Sequence, residues 1–313
     1  MRAASFAVTI FLASPALAAP PECAGVSHPI IDVHIHAYGD GPRLQAREIN
    51  PLTGKPSPVG DSASHRAMTL VELRRLGVVR ALVSGSNKEA AEQMVAAGAA
   101  RTRLAYQIDD IPTPADLQAI RDLHKAGRIS SISEVDPQYE GVAPNDPRLE
   151  PLWALAEELD LPVGLHMGSG PTDIVSNGAP KHRAAIGNPL LIEEVLVRHP
   201  KLRLFIMHMG FPFAESTQAL MHSYSNVYAD LGAIHWAEPR SWFHSYLKRM
   251  IDAGLGDRIM FGSDQMTSPE AIAQSIEGYR EADYLSEAQR HAIFFDNAVR
   301  FFRWDDLRVC RAN

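Results

Sequence analysis

The strongest constraint on the fold of this chain is a repeated alternation between short β-branched runs and segments of helical length. Glycines such as Gly77, Gly127 and Gly254 follow helical segments, and prolines stand near the starts of several of them, as is typical of helix boundaries. Strands that alternate with helices predict a parallel sheet, and eight such units are the number that closes a barrel. We therefore predict an α/β fold, a single (β/α)₈ TIM barrel. The predicted strands are Ile30–His36, Val78–Val83, Leu104–Ile108, Ile129–Glu134, Pro162–His166, Leu202–Met207, Asn226–Asp230 and Arg258–Gly262. The predicted helices are Leu70–Leu76, Lys88–Ala100, Pro114–Ala126, Arg148–Leu159, Pro189–His199, Phe213–Ser223, Pro239–Ala253 and Pro269–Tyr279.

Two connections are longer than such units need, one after the first predicted strand and one after the fifth. Residues 37–69 are rich in turn formers, and residues 167–188 contain Gly168-Ser169-Gly170-Pro171. Because both follow strands, both are expected at the C-terminal face of the barrel, where barrels of this kind bind and react. We expect these two long loops to contact the substrate.

Residues 1–18 have the pattern of a secretory signal peptide. Arg2 precedes an apolar run that is too short to span a membrane, and Ala16-Leu17-Ala18 has the form of a cleavage site. A disordered or membrane-anchored apolar N-terminus is the alternative. We interpret residues 1–18 as a signal peptide and residues 19–313 as the barrel domain, and we expect a periplasmic or secreted protein that is free of the membrane after cleavage.

The cysteines and the charge limit the partners of the mature chain. Cys23 and Cys310 are the only cysteines, and in an oxidising compartment they can form a disulfide because chain termini often lie close together. Two free thiols are the alternative. The net charge of −7 comes from mixed acids and bases without a long basic run, which argues against nucleic acid or an anionic membrane as the main partner. The expected partner is a small-molecule substrate.

Side chains that can bind a metal fall at the ends of four predicted strands. His34 and His36 are two residues apart in the first strand, so they share one face with Asp32. The others are His166 at strand five, His208 after strand six and Asp264 after strand eight. Barrel closure points such residues at one volume, and the set therefore predicts a metal site. Asp32 lies one step deeper and is interpreted as a support for the ligands.

With these residues in place, the chain resembles the amidohydrolase superfamily, and specifically the amidohydrolase-related branch that includes aminocarboxymuconate-semialdehyde decarboxylase. The resemblance extends from about Ile30 to Phe302 and includes Asp296-Asn297-Ala298-Val299-Arg300-Phe301, which looks like the family's C-terminal helix. The resemblance implies that the metal ligands are His34, His36, His166 and Asp264. It implies that His208 polarises the substrate or acts as acid and base.

The chemistry of the residues agrees with this resemblance. Imidazole nitrogens and carboxylate oxygens suit one Zn²⁺ or a similar divalent ion, which lowers the pKa of a bound water to about 7. We expect Asp264 to accept the proton of that water and His208 to stabilise charge on the carbonyl oxygen of the substrate. Glu134 ends the fourth predicted strand, where binuclear members of the superfamily carry a bridging lysine or glutamate. It either bridges a second ion, with His208 as a ligand, or hydrogen-bonds a ligand; the resemblance favours the single ion.

Several further residues are candidates for contact with the substrate. Tyr139 and Trp236 follow predicted strands and offer aromatic surface, although packing in the wall is the alternative for each. His182 and Arg183 belong to a short basic cluster that can hold a carboxylate, and a solvated loop is the alternative there. Other histidines, such as His65, are expected on the surface.

The predicted function is hydrolysis of a small ester, lactone or amide by a metal-activated water. The first alternative is non-oxidative, metal-dependent decarboxylation of an aromatic or unsaturated acid, which requires no different ligands. The second alternative is a metal- or ligand-binding barrel without catalysis. An open coordination position in a complete ligand set argues against that last alternative.

Overall fold

A computed structural model describes residues 20–312 of the chain, with the side chains of residues 20–310. Eight parallel strands form one sheet in which each strand pairs with the next along the chain, so the predicted barrel fold is confirmed. The predicted signal peptide lies outside the described residues. The strands are β1 (Ile30–His36), β2 (Val78–Ser84), β3 (Thr102–Ile108), β4 (Ile129–Val135), β5 (Val163–His166), β6 (Leu204–Met207), β7 (Val227–Asp230) and β8 (Ile259–Met260).

The sheet closes on itself through the main chain of its first and last strands. The amide of Val33 donates to the carbonyl oxygen of Phe261 over 2.9 Å, and the amide of Asp264 donates to that of His34 over 2.8 Å. Closure of this kind is what brings the C-terminal ends of all strands around one opening. It places Asp264 directly beside His34.

Twelve α-helical segments occur in the described part of the chain, and most of them cover the outside of the barrel. They are α1 (Pro42–Gln45), α2 (Ser62–Arg75), α3 (Lys88–Gly98), α4 (Pro114–Lys125), α5 (Glu150–Glu158), α6 (Glu193–Arg198), α7 (Ala214–Ser223), α8 (Ile234–Ala237), α9 (Arg240–Asp252), α10 (Ala271–Arg280), α11 (Glu287–His291) and α12 (Asn297–Phe302). None of the helices among residues 20–312 is long and apolar enough to cross a membrane.

Helix α2 begins well before the predicted start at Leu70. The side chain of Asp61 accepts a hydrogen bond from the amide of Ser64 and so caps the helix, which satisfies a donor that the first turn leaves free. The turns between Ser62 and Met68 carry few apolar residues, so periodicity gave no signal there. The first long loop therefore ends at residue 61 and contains α1 and a short hairpin of Ile49–Asn50 and Lys55–Pro56.

The N-terminal end of the barrel is held by the two ends of the described chain. Cys23 and Cys310 form a disulfide with their Cα atoms 5.6 Å apart, in agreement with the predicted pairing. Beside it, the buried guanidinium of Arg80 bonds Glu22 over 3.0 Å and Asp306 over 2.8 Å, so this buried charge is paired, as burial requires. These contacts stabilise the face opposite to the predicted site.

Candidate metal centre

Two histidines of β1 face two carboxylates at the C-terminal end of the barrel. The Nε2 atom of His36 lies 3.2 Å from Asp264 Oδ1 and 3.3 Å from Glu134 Oε2. The Nε2 atom of His34 lies 3.8 Å from each of the same two oxygens. The ladder between β1 and β2 is irregular between Asp32 and Ile35, and irregularities of this kind re-aim side chains. One face of the cluster therefore combines two imidazoles with two carboxylates.

Glu134 joins this group to the remaining histidines. Its Oε1 atom lies 2.5 Å from His166 Nδ1 and 3.3 Å from His208 Nε2. The two imidazoles approach each other to 2.9 Å. Because Oε2 faces the histidines of β1 and Oε1 faces the other two, the carboxylate of Glu134 lies in the middle of the cluster. The structure thus brings together all the residues that the sequence indicated as ligands.

Asp230 orients the cluster from its far side. Its Oδ1 atom accepts hydrogen bonds from the amide of Gly232 over 2.6 Å and from His34 Nδ1 and the amide of His208 over 3.4 Å each. A Cβ atom at Gly232 would lie 2.5 Å from His34 Nδ1, so only glycine leaves room for this approach. Sequence reasoning did not single out Asp230, although it ends the seventh predicted strand just as the ligands end theirs.

The protonation of two histidines of the cluster follows from their outer contacts. The Nδ1 atom of His208 lies 2.9 Å from the carbonyl oxygen of Gly232, and it must carry the proton because a carbonyl only accepts. In the same way, His34 Nδ1 carries a proton and donates a hydrogen bond to the carboxylate of Asp230. Both Nε2 atoms are then directed into the cluster, which is the arrangement of metal-binding histidines.

Two buried atoms without hydrogen-bond partners in the described part of the chain, called the orphaned atoms here, indicate whether a metal ion fits this cluster. His34 Nε2 and Asp264 Oδ1 are buried, and neither has a hydrogen-bond partner among the described residues. Leaving such atoms unpaired is costly. Three overlapping groups of His, Asp and Glu side chains there bring potential ligand atoms within 4.8 Å of one another. A divalent cation satisfies these nitrogen and oxygen atoms together, so the residues fit a metal ion.

A cavity of about 450 Å³ opens on the cluster. His36, Glu134 and other residues of the cluster line it, and so does Tyr139, one of the candidates for contact with the substrate. Arg43, from the loop after β1, is the single lysine or arginine side chain that lines the cavity among residues 20–310. The sequence gave no signal for it, because the position of a loop side chain depends on how the whole loop packs.

Residues 31–304 match the family model described as Amidohydrolase. The chain belongs to this amidohydrolase family. Protein fluG of Emericella nidulans, a curated relative, is 24% identical over 207 residues, which are 58% of this chain and 22% of fluG. The chain thus spans about a fifth of the length of that relative. Membership confirms the resemblance drawn from the sequence, and membership in a family of enzymes argues against a passive binding barrel.

Solved structures share the fold of this amidohydrolase at low identity. An uncharacterized TIM-barrel protein from Bordetella bronchiseptica has a TM-score of 0.65 at 19% identity, over 88% of this chain and 98% of that one. A dihydroxybenzoic acid decarboxylase from Polaromonas with bound manganese has a TM-score of 0.62 at 15% identity, over 90% of this chain and 99% of that one. A probable 2-pyrone-4,6-dicarboxylic acid hydrolase from Acinetobacter baumannii has a TM-score of 0.60 at 13% identity, over 88% of this chain and 99% of that one.

Burial and charge act in opposite directions on the titration of this amidohydrolase's cluster. Burial by itself lowers the pKa of His36, but the carboxylates of Asp264 and Glu134 outweigh it and raise that pKa to about 10. Burial by itself raises the pKa of Asp264, but the neighbouring histidines, His34 foremost, hold it well below its usual range. The carboxylates thus attract positive charge strongly, as a site for a divalent cation does.

Asp32 supports the cluster as the sequence predicted. Its Oδ1 atom accepts hydrogen bonds from the amides of His34 over 3.1 Å and Ser263 over 2.9 Å. Burial raises the pKa of Asp32 to about 7. It therefore joins β1 to the chain after β8 and takes no place among the ligand atoms.

Three residues that were predicted to contact the substrate do not line the cavity of this amidohydrolase. Trp236 is buried, and its indole N–H donates to the carbonyl oxygen of Ser263 over 3.0 Å. His182 is buried behind Tyr139, with ring centroids 5.6 Å apart. Arg183 is exposed and donates to the carbonyl oxygen of His182 over 2.7 Å. The side chains of the predicted basic cluster thus contact their own loop and not the cavity. The cation that lines the cavity is Arg43.

The expectation that His65 lies on the surface is wrong. It is fully buried in the first turn of α2, where its Nε2 atom lies 2.8 Å from the carbonyl oxygen of Met266. Its ring also packs against the ring of Tyr38, with centroids 5.5 Å apart. Burial lowers the pKa of His65 to about 4. The early start of α2 is what places this histidine against the loop after β1.

Proposed function

We propose that this amidohydrolase cleaves a small ester, lactone or amide with the help of one divalent ion, Zn²⁺. The observation that carries the proposal is the pair of orphaned atoms, His34 Nε2 and Asp264 Oδ1, inside a cluster that opens on a cavity. His34, His36, His166 and Asp264 would hold the ion, with Glu134 beside them. When bound, such an ion polarises a carbonyl group and lowers the pKa of water, so that the water can act as a nucleophile at neutral pH.

The side chains around the ion supply the proton transfers that hydrolysis needs. Asp264 lines the cavity and is positioned to take a proton from the attacking water. His208 has its Nδ1 proton fixed on Gly232, so its Nε2 atom is available to donate a hydrogen bond to the carbonyl oxygen when protonated. The proton taken by Asp264 then passes to the leaving oxygen or nitrogen as the acyl bond breaks.

Decarboxylation of an aromatic or unsaturated acid is the second candidate, and Arg43 favours it. A guanidinium that lines the cavity can hold a carboxylate of the substrate. The Polaromonas structure, which shares this fold, is a decarboxylase with manganese. Against it, four carboxyl groups line the same cavity, those of Glu134, Asp136, Glu238 and Asp264, and they disfavour a further carboxylate beside them more than a neutral carbonyl. This charge balance supports our proposal of hydrolysis as the first candidate.

An activity screen separates the two candidates. The metal-loaded protein is incubated with esters, lactones, amides and carboxylated aromatics, while acid release and CO₂ release are followed in parallel. Acid release that a chelator abolishes and Zn²⁺ restores supports hydrolysis. CO₂ release without turnover of esters or lactones reverses the order.

One variant tests the assigned role of His208. His208→Asn should lose most of the activity while it keeps its metal, and the exposed His222→Asn is the matched control. Full activity of His208→Asn with metal bound would remove His208 from the mechanism.

We also propose that the protein is exported and acts in the periplasm or outside the cell. The signal-peptide pattern of residues 1–18 supports this, as does the disulfide between Cys23 and Cys310, since such bonds persist in oxidising compartments. The intact mass of the protein recovered from its native host tests the proposal. A mass that includes residues 1–18 contradicts it.

A further inference from the structure

The cavity has two chemically different halves. Arg43, Ser86, Gln107 and Asp136, which come from β3 and the segments that follow β1, β2 and β4, give one half polar tips. The opposite half is formed by the segments that follow β5 to β7. Its main apolar side chains are Met167, Ile174, Phe211 and Ile234, and the same segments also contribute Ser169, Thr172 and Glu238. Because strands around a barrel keep their order, the two kinds of surface face each other across the cluster.

The apolar half begins at the cluster itself. The amide of Phe211 donates to the carbonyl oxygen of His208 over 3.0 Å, which fixes the start of the loop after β6. The carbonyl of Phe211 in turn accepts from the amide of Ser169 over 3.0 Å. The ring of Phe211 packs on Tyr246 of α9, with centroids 5.3 Å apart. Phe211 is therefore a fixed aromatic surface beside the proposed acid and base.

The apolar surface continues outward to Trp242. The ring centroids of Phe211 and Trp242 are 6.0 Å apart, and Trp242 is 55% exposed. It lies in the first turn of α9, four residues after Glu238, which lines the cavity. Val175, 48% exposed, directly follows Ile174 of the cavity wall. A large indole left in water at the end of an apolar wall is a site where apolar surface of a ligand gains burial.

We propose that Phe211 and Trp242 form a subsite for an alkyl or aryl chain of the substrate. This inference rests on the proposed function and names its substrate class: esters, lactones or amides whose apolar chain leaves the cavity over Trp242. The polar head of the same molecule faces the half that contains Arg43. The occupant is the substrate's own chain because the surface is continuous with the cavity that holds the reacting bond.

A series of lactones with one ring and a growing tail tests the subsite. The probes are γ-butyrolactone, γ-hexalactone, γ-octalactone and γ-decalactone, and the readouts are kcat/KM by acid release and Kd by calorimetry with metal-free protein. Full burial of one methylene group increases the affinity about fourfold. Contact with one face of an indole ring provides about half of that free energy. We therefore expect kcat/KM and the affinity to rise about twofold for each added methylene. Trp242→Ala should flatten this slope for the longer tails, while Val197→Ala, an exposed apolar residue on α6, should keep it.

The outcomes separate the subsite from the reaction. If no lactone is hydrolysed but affinity rises with tail length and Trp242→Ala removes the rise, the subsite stands and the proposed function fails. If lactones are hydrolysed with no dependence on tail length, or with a slope that Trp242→Ala leaves intact, the subsite is refuted. If Trp242→Ala changes the oligomeric state in solution but keeps the dependence on tail length, Trp242 belongs to a contact between two copies of the chain. This outcome also overturns the inference. Thermal melting of both variants verifies that they fold.

Discussion

Asp230 offers a direct test of how the metal centre is organised. It binds no ion in the proposed site, yet its Oδ1 atom accepts hydrogen bonds from His34 Nδ1, the amide of Gly232 and the amide of His208. The change Asp230→Asn keeps the size and one acceptor oxygen but removes the charge. It should therefore leave the barrel intact and weaken the hold on His34.

The expected loss follows from the bond to the imidazole. A hydrogen bond to a charged group contributes roughly 1.5–3 kcal/mol, and a neutral one about half as much. The difference is roughly 0.8–1.5 kcal/mol, which corresponds to about four- to twelvefold weaker metal binding. This reaches the lower end of the 10–100-fold range that is typical when the outer partner of a metal-binding histidine is changed.

Competition against a chromogenic chelator measures this loss. The affinity of Asp230→Asn for Zn²⁺ is compared with that of the unchanged protein and of Asp252→Asn, an exposed aspartate paired with Lys248 that serves as the matched control. Equal affinity in all three proteins, with equal melting temperatures, would show that the carboxylate of Asp230 does not organise the site.

Three further predictions concern the ion, the pH dependence and the disulfide. Elemental analysis should find one divalent ion per chain, and Asp264→Asn, which removes a proposed ligand, should lose it on dialysis while the exposed Asp252→Asn keeps it; a count of two contradicts the single ion. Burial lowers the pKa of His235 to about 4 in the folded protein. As the pH falls below about 6.5, this imidazole is therefore protonated in the unfolded chain but not yet in the folded one, which favours unfolding. The free energy of unfolding should drop by up to about 3 kcal/mol by pH 4. His235→Asn should flatten that drop in urea titrations, and an unchanged slope refutes it. Serine at both Cys23 and Cys310, 287 residues apart, should cost roughly 4 kcal/mol of stability at neutral pH; equal urea midpoints would contradict this.

The sequence by itself determined the fold and the position of the chemistry. Alternating strand and helix patterns predict the barrel, and the two-residue period of a strand puts His34 and His36 on one face. Ligand candidates at strand ends then meet because closure brings all those ends together. The sequence also predicted the pairing of Cys23 with Cys310 over two free thiols, and the structure forms this disulfide.

Only the tertiary structure decided what surrounds that chemistry. The sequence left two alternative roles for Glu134, and the structure adds that its two carboxylate oxygens face different histidines. Trp236 and Arg183 were expected at the substrate, whereas Arg43 lines the cavity instead. The physical reason is that a strand fixes the direction of its side chains through its own backbone, but a loop or a short helix is oriented by contacts with distant segments, which no local pattern encodes.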